Sequence, residues 1–167
     1  MDINIYYSGL GMWSDGRPFL IPKDGNTIQT ASLCSLEEIL TNLSLLSVLQ
    51  NINSITVILD IKYINPFDIT DDYRYPDLSD KICILLASSP GENSVENDEM
   101  KHSVFSYYLF KGLKGEAKGS DSKIELGELA EYLYRKIPEL SANQDDGNVQ
   151  NPEFIGSDLK RILLDLR

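Results

Sequence analysis

The stretch Ile3-Asn4-Ile5-Tyr6-Tyr7-Ser8-Gly9-Leu10-Gly11 begins as a β-branched and aromatic run and ends on two glycines. Such a run, closed by glycine, reads as a short strand over Ile3–Tyr7 that leads into a turn. Two further runs of the same kind follow, at Ser54–Asp60 and Lys81–Ser88. All three are apolar without strict alternation, the pattern of parallel strands covered on both faces. Between the first two lies Ser35–Gln50, whose Leu36, Ile39, Leu40, Leu43 and Leu46 share one helical face. Ser35 with Glu38 three residues on forms a capping box that fixes the start of that helix. Val104, Phe105, Tyr108, Leu109 and Leu113 make a second apolar stripe, with Gly112 and Gly115 as terminators. Leu126, Leu129, Ala130, Leu133 and Ile137 make a third, which Pro138 is expected to stop. The polar Ser141–Asn151 reads as a surface loop, and Arg161–Leu166 as a closing strand. Strands alternate with helices, so the fold class is α/β.

At 167 residues the chain fits one domain spanning 1–167. Its net charge of −11, from 26 acidic and 15 basic side chains, argues against nucleic-acid binding, which needs a basic face. The same acidity serves solubility or attracts a basic partner. Two cysteines, Cys34 and Cys83, fall in separate elements and give no disulfide framework. No cationic, apolar, cleavable leader is visible at the amino terminus, and a reducing cytoplasm is the expected setting. The apolar runs fall far short of the ~20 residues that cross a bilayer, so no membrane role is expected. Gly119–Leu126 lacks the ladder of oxygen ligands that a calcium loop requires and reads as a turn. No metal or cofactor is expected.

Two loops and their spacing carry a resemblance to a known family. Tyr6-Tyr7-Ser8-Gly9-Leu10-Gly11 is similar to the Tyr-Tyr-Ser-Gly-His-Gly that ends a strand in metacaspases and prokaryotic orthocaspases. About fifty residues on, Leu59-Asp60-Ile61-Lys62-Tyr63 resembles their Leu-Asp-x-Cys-Tyr, a spacing of the kind used for catalytic cysteine motifs. Asp15–Asp24 resembles the family's hairpin after the histidine, Ile84–Glu92 its next core strand, Phe105–Leu113 the helix after that, and Glu125–Leu129 the next helix. Pro152-Glu153-Phe154 is similar to the lead-in to its last strand. The resemblance covers nearly the whole chain and implies a three-layer α/β/α caspase-like sheet, mostly parallel. It also implies a strand, helix, strand and helix ahead of the Tyr-Tyr-Ser-Gly strand, about a third of the family's sheet, which this chain does not contain. Ile3, Ile5 and Tyr7 are then expected on an open edge that recruits another strand.

In that register Leu10 holds the histidine place and Lys62 the cysteine place. A thiolate attacks a peptide carbonyl and an imidazole moves the proton, whereas leucine moves none. A lysine becomes a nucleophile only when deprotonated, and Asp60 two residues away, hence on the same face of the strand, favours the ammonium. An Asp60–Lys62 ion pair is therefore expected. Rescue from elsewhere is not visible: Cys83 sits in an apolar run as a buried thiol, Cys34 precedes a helix without a base nearby, and His102, the only histidine, reads as a solvated residue opening a helix.

The resemblance implies that Asp60 lines the pocket for a basic substrate side chain, that the Gly11 amide helps hold an oxyanion, and that Asp60, Gly11 and Tyr63 outline a vestigial groove. Ile64 and Asn65 stand where the family has Ser-Gly, which alters the groove. The loop Lys62–Asp80, with three tyrosines and five aspartates, reads either as a partner contact or as an ordinary surface loop. The expected function is a non-catalytic, caspase-like pseudoprotease acting through a protein partner or as a homodimer. The alternative is a hydrolase with a relocated site, which needs a base beside a nucleophile.

Overall fold

The computed structural model describes residues 1–49, 51–65, 73, 75–89, 91–97, 100–142 and 149–167. Its centre is a six-stranded sheet. The strands are β1 (Asp2–Ser14), β2 (Arg17–Leu20), β3 (Cys34–Ser35), β4 (Ser54–Tyr63), β5 (Ile82–Leu86) and β9 (Glu153–Ile155), in the order β3-β2-β1-β4-β5-β9. The three long strands β1, β4 and β5 run parallel, and β2, β3 and β9 add antiparallel margins. Helix α1 (Leu36–Leu49) covers one face of this sheet, and α2 (Val104–Lys111) with α3 (Leu126–Ser141) covers the other.

Alternation along β4 divides the core. Ile55, Val57, Leu59, Ile61 and Tyr63 pack with Leu36 and Leu40 of α1, whereas Ile58 joins Leu85, Phe105, Leu109, Leu129 and Leu133. The α2–α3 face of the same strand therefore also carries Thr56, Asp60 and Lys62.

β1 is longer than the Ile3–Tyr7 run suggests. It continues through Gly9-Leu10-Gly11 to Ser14 because the hairpin after it returns as β2, pairing Gly11 with Leu20 and Ser14 with Arg17. Asp15 and Gly16 have φ of 51° and 70°, the double positive φ that suits a two-residue hairpin turn. Gly11 is needed for a close approach, since a Cβ there would stand 2.6 Å from Ile61 Cγ2 and 3.0 Å from the Phe19 carbonyl oxygen.

Helix α1 starts where the cap places it: the Glu38 amide donates to Ser35 Oγ at 3.3 Å. After α2 a π turn runs over Gly112–Glu116, and the chain breaks helical geometry at Gly115, with φ of 115°. Pro138 does not stop α3, which runs on to Ser141. Ile137 and Ser141 are fully buried, so packing of the last turn offsets the amide that proline lacks. Arg161–Leu166 does not close the main sheet. Its Ile162–Asp165 forms β10 and pairs with β8 (Lys123–Glu125), while β9 takes the place beside β5. Residues 66–72 and 74 of the Lys62–Asp80 loop, and 143–148 of the Ser141–Asn151 loop, lie outside the described residues. Among the described residues no helix is long and apolar enough to cross a membrane.

Candidate functional site

The two loops singled out in the sequence meet at the carboxyl ends of β1 and β4. In the parallel register Leu10 is the direct partner of Lys62, and Gly11 of Tyr63. Leu10 is 46% exposed, and the Lys62 side chain is likewise about half exposed. Both line a groove of about 240 Å³ on the α2–α3 face, together with Asp60, Ser94, Glu96 and Ser103.

Asp60 forms the floor. It is 3% exposed, and its charge is met by hydroxyl groups rather than by a cation. Ser94 donates to Asp60 Oδ1 at 2.6 Å, and the hydroxyls of Ser103 and Ser106 both donate to Oδ2. With its proton given to Asp60, Ser106 Oγ accepts from the Tyr6 hydroxyl at 2.7 Å. Ser103 also caps α2, accepting the Ser106 amide at 2.9 Å, so the carboxylate lies at the positive end of that helix. A buried carboxylate is tolerated when charge-directed hydrogen bonds replace its water, and three hydroxyls do so here.

The expected Asp60–Lys62 ion pair is not formed. The two side chains do share a face and a groove, but Lys62 Nζ pairs with Glu96 Oε2 at 3.2 Å. The reason is local: the serine cage satisfies Asp60 from the protein side, and Glu96 on β6 (Glu96–Asn97) offers Lys62 a carboxylate at the exposed mouth.

Two other groove residues also differ from expectation. Tyr63 lies on the opposite face, 8% exposed, with its ring 5.4 Å from that of Trp13. Spacing decides this, because residues 60 and 62 face one way and 61 and 63 the other. Gly11 belongs to that face too, and its carbonyl accepts from the Ile64 amide at 2.9 Å. In a parallel ladder the N–H of such a residue points to the same neighbour, so the Gly11 amide is directed at β4 and not into the groove.

Behind the groove, Trp13, Tyr63, Tyr73 and Tyr75 form an aromatic cluster, with Tyr73 edge-on to Trp13 at 5.0 Å and to Tyr75 at 5.3 Å. Burial pushes the phenols of Tyr63 and Tyr75 up, and that of Tyr73 up to about 12, with neighbouring phenols and Glu37 adding to the effect. Asn65, at the position where the resemblance has glycine, clamps the strand end. It accepts the Trp13 amide at 2.8 Å and donates to the Trp13 carbonyl at 2.7 Å.

Cys83 is fully buried in β5 and Cys34 is exposed on β3, both as free thiols. His102 does not open α2. It lies in the two-residue strand β7 (His102–Ser103), is exposed and meets Phe110 edge-on at 6.2 Å, and its imidazole makes no hydrogen bond among the described residues. At Gly119–Leu126 the chain makes a turn held by the Lys123 amide on Asp121 Oδ1 at 2.8 Å, and Glu128 caps α3 through the Glu125 amide. Ile3, Ile5 and Tyr7 are half-buried toward α1 at the margin of the sheet. Sequence reading missed Ser94, Ser103, Ser106 and Glu96. The one signal available was the Ser103–Ser106 spacing ahead of an apolar stripe, which marks a helix start.

No protein-family model and no curated protein matches this sequence. In shape the chain is similar to caspase-1 from Spodoptera frugiperda, with a TM-score of 0.57 at 16% identity, covering 96% of this chain and 60% of that one. This chain thus spans 60% of the length of the caspase it resembles. Likeness at this identity speaks for the arrangement of strands and helices alone. The chain has a caspase-like fold.

Proposed function

We propose that this chain is a non-catalytic caspase-like pseudoprotease that works by binding protein, as a regulatory or assembly subunit in a reducing cytoplasm. The observation that carries this reading is the pairing of Leu10 with Lys62 at adjacent strand ends, where the family resemblance has histidine and cysteine. Leucine has no proton to move, and at Lys62 an amine stands in place of a thiol, held 3.2 Å from Glu96 Oε2 at the mouth of the groove. The Gly11 amide, directed at β4, leaves no oxyanion donor at that position. Lys62 instead places a cation over an acidic groove floored by Asp60, in the manner of an internal occupant.

A relocated hydrolase site needs a base beside a nucleophile, and the imidazole of His102, edge-on to Phe110, makes no hydrogen bond to a serine or cysteine among the described residues. The experiment is affinity purification of the tagged chain from native cells with mass spectrometry, run beside a peptidase assay of the pure protein. A stoichiometric protein partner, or self-association, with no turnover supports the reading. Turnover that disappears with Lys62→Ala overturns it.

A further inference from the structure

The margin of the sheet at β1 is open along most of its length. β2 covers β1 only from Gly11 to Ser14, and the last bond on that side is the Ile21 amide to the Leu10 carbonyl at 3.0 Å. On the opposite side, the Gly11 carbonyl accepts from Ile64 beyond β4. Main-chain groups alternate sides along a strand, so Asp2, Asn4, Tyr6 and Ser8 direct their N–H and C=O outward. Among the described residues no element pairs with Asp2–Gly9 on that side.

Edges of this kind are ordinarily blunted by lysine, proline or a bulge. Here Ile3–Ser14 contains no charged residue and no proline, and the β1–β4 register runs from Asp2 to Gly11 without a break. Ile3, Ile5 and Tyr7 stand half-buried beside Ile39 and Leu43 of α1 and have apolar surface left to cover.

We propose that this edge pairs with the same edge of a second copy, antiparallel about Ile5, joining two sheets into one across a two-fold axis. The strand is complementary to itself in that register. Ile5 faces its own copy, Ile3 faces Tyr7, Asn4 faces Tyr6, and the carboxylate of Asp2 faces the hydroxyl of Ser8. Aromatic and β-branched pairs fall on the α1 face and polar pairs on the other. The four outward residues of each copy exchange roughly eight main-chain bonds. Centring on Ile5 keeps each β2, which begins beside Gly11, beyond the end of the other copy's paired segment. Charge selects this strip as well: the chain carries −11, identical copies repel over their acidic surfaces, and β1 offers an extended uncharged approach. The inference rests on the open edge and not on the loss of catalysis, so an active enzyme that dimerises here would refute the proposed function and leave this pairing standing.

The test is sedimentation equilibrium of the 167-residue chain at micromolar concentration, where twice the 18.8 kDa monomer mass is expected. Asn4→Pro removes an outward amide and leaves the β1–β4 ladder intact, so it should weaken association at least roughly tenfold with an unchanged circular dichroism spectrum. In a Cys34→Ser background, Ile5→Cys should form a disulfide-linked dimer under mild oxidation, whereas Ile3→Cys, which faces Tyr7, should not. A monomer overturns the proposal, whether its edge amides exchange freely, are shielded by the chain's own segments, or bind a foreign strand. So does a dimer that Asn4→Pro leaves intact and Ile5→Cys fails to link.

Discussion

Asp60 and Lys62 sit two residues apart on one strand and have opposite energetic weight. Asp60 is enclosed by Ser94, Ser103 and Ser106, so Asp60→Ala strands two buried hydroxyls and a half-buried one and should lower stability by about 2–3 kcal/mol in urea denaturation. Lys62 meets Glu96 at the exposed mouth, where an ion pair contributes at most about 1 kcal/mol. Lys62→Met should therefore move the urea midpoint little. If the two variants were equally destabilising, the serine cage would not be what holds the groove floor. The shared face of Asp60 and Lys62 was legible from their spacing, because a strand repeats every second residue. Their partners were not, since Ser94, Glu96, Ser103 and Ser106 arrive from other elements and no local pattern ties them to Asp60. The same period, applied to Tyr63, already places it on the other face from Asp60. The resemblance instead implied a groove shared by Asp60, Gly11 and Tyr63.

At the scale of elements, the buried Arg161 ties the start of the sheet together. Its Nη1 donates to the Ile55 carbonyl at 2.7 Å and to Thr56 Oγ1 at 3.2 Å, Nη2 donates to the Lys81 carbonyl at 2.9 Å, and Nε pairs with Asp158 at 3.2 Å. A single guanidinium thus bridges the entrances to β4 and β5. Lysine offers one nitrogen in place of three, so Arg161→Lys should cost about 2–3 kcal/mol, read from the thermal or urea midpoint. An unchanged midpoint would mean that the fork is dispensable. Sequence alone assigned Arg161 to a closing strand, because periodicity reports which segments are extended and not which neighbour they choose. Pro138 failed as a stop signal for a related reason: local propensity argued for an end, and burial of Ile137 and Ser141 carries the helix past it. The three apolar stripes and the three long strands were legible because each is a regular pattern set by one interface. The short strands β3, β6, β7 and β8 have too few residues to show a period.

For the whole molecule, the aromatic cluster between sheet and loop couples stability to alkaline pH. Unfolded phenols ionise near 10, whereas burial holds Tyr73 up to about 12 and Tyr63 and Tyr75 higher still. Above pH 10 the folded state therefore binds more protons than the unfolded one. Stability should be level with respect to these groups below pH 10 and fall as pH rises through 10 toward 12 and beyond. Trp13, the sole tryptophan, touches Tyr63 and Tyr73, so its fluorescence reports the transition, and Tyr73→Phe should make the fall less steep. Order along the sheet also fixes where Leu10 and Lys62 meet, the pairing on which the proposed loss of proteolysis rests. The most direct measurement is incubation of the pure chain with a peptide library that includes Arg and Lys before the scissile bond, analysed by mass spectrometry. The expected result is no cleavage above a protein-free control. Cleavage that is abolished by Lys62→Ala would contradict the pseudoprotease account.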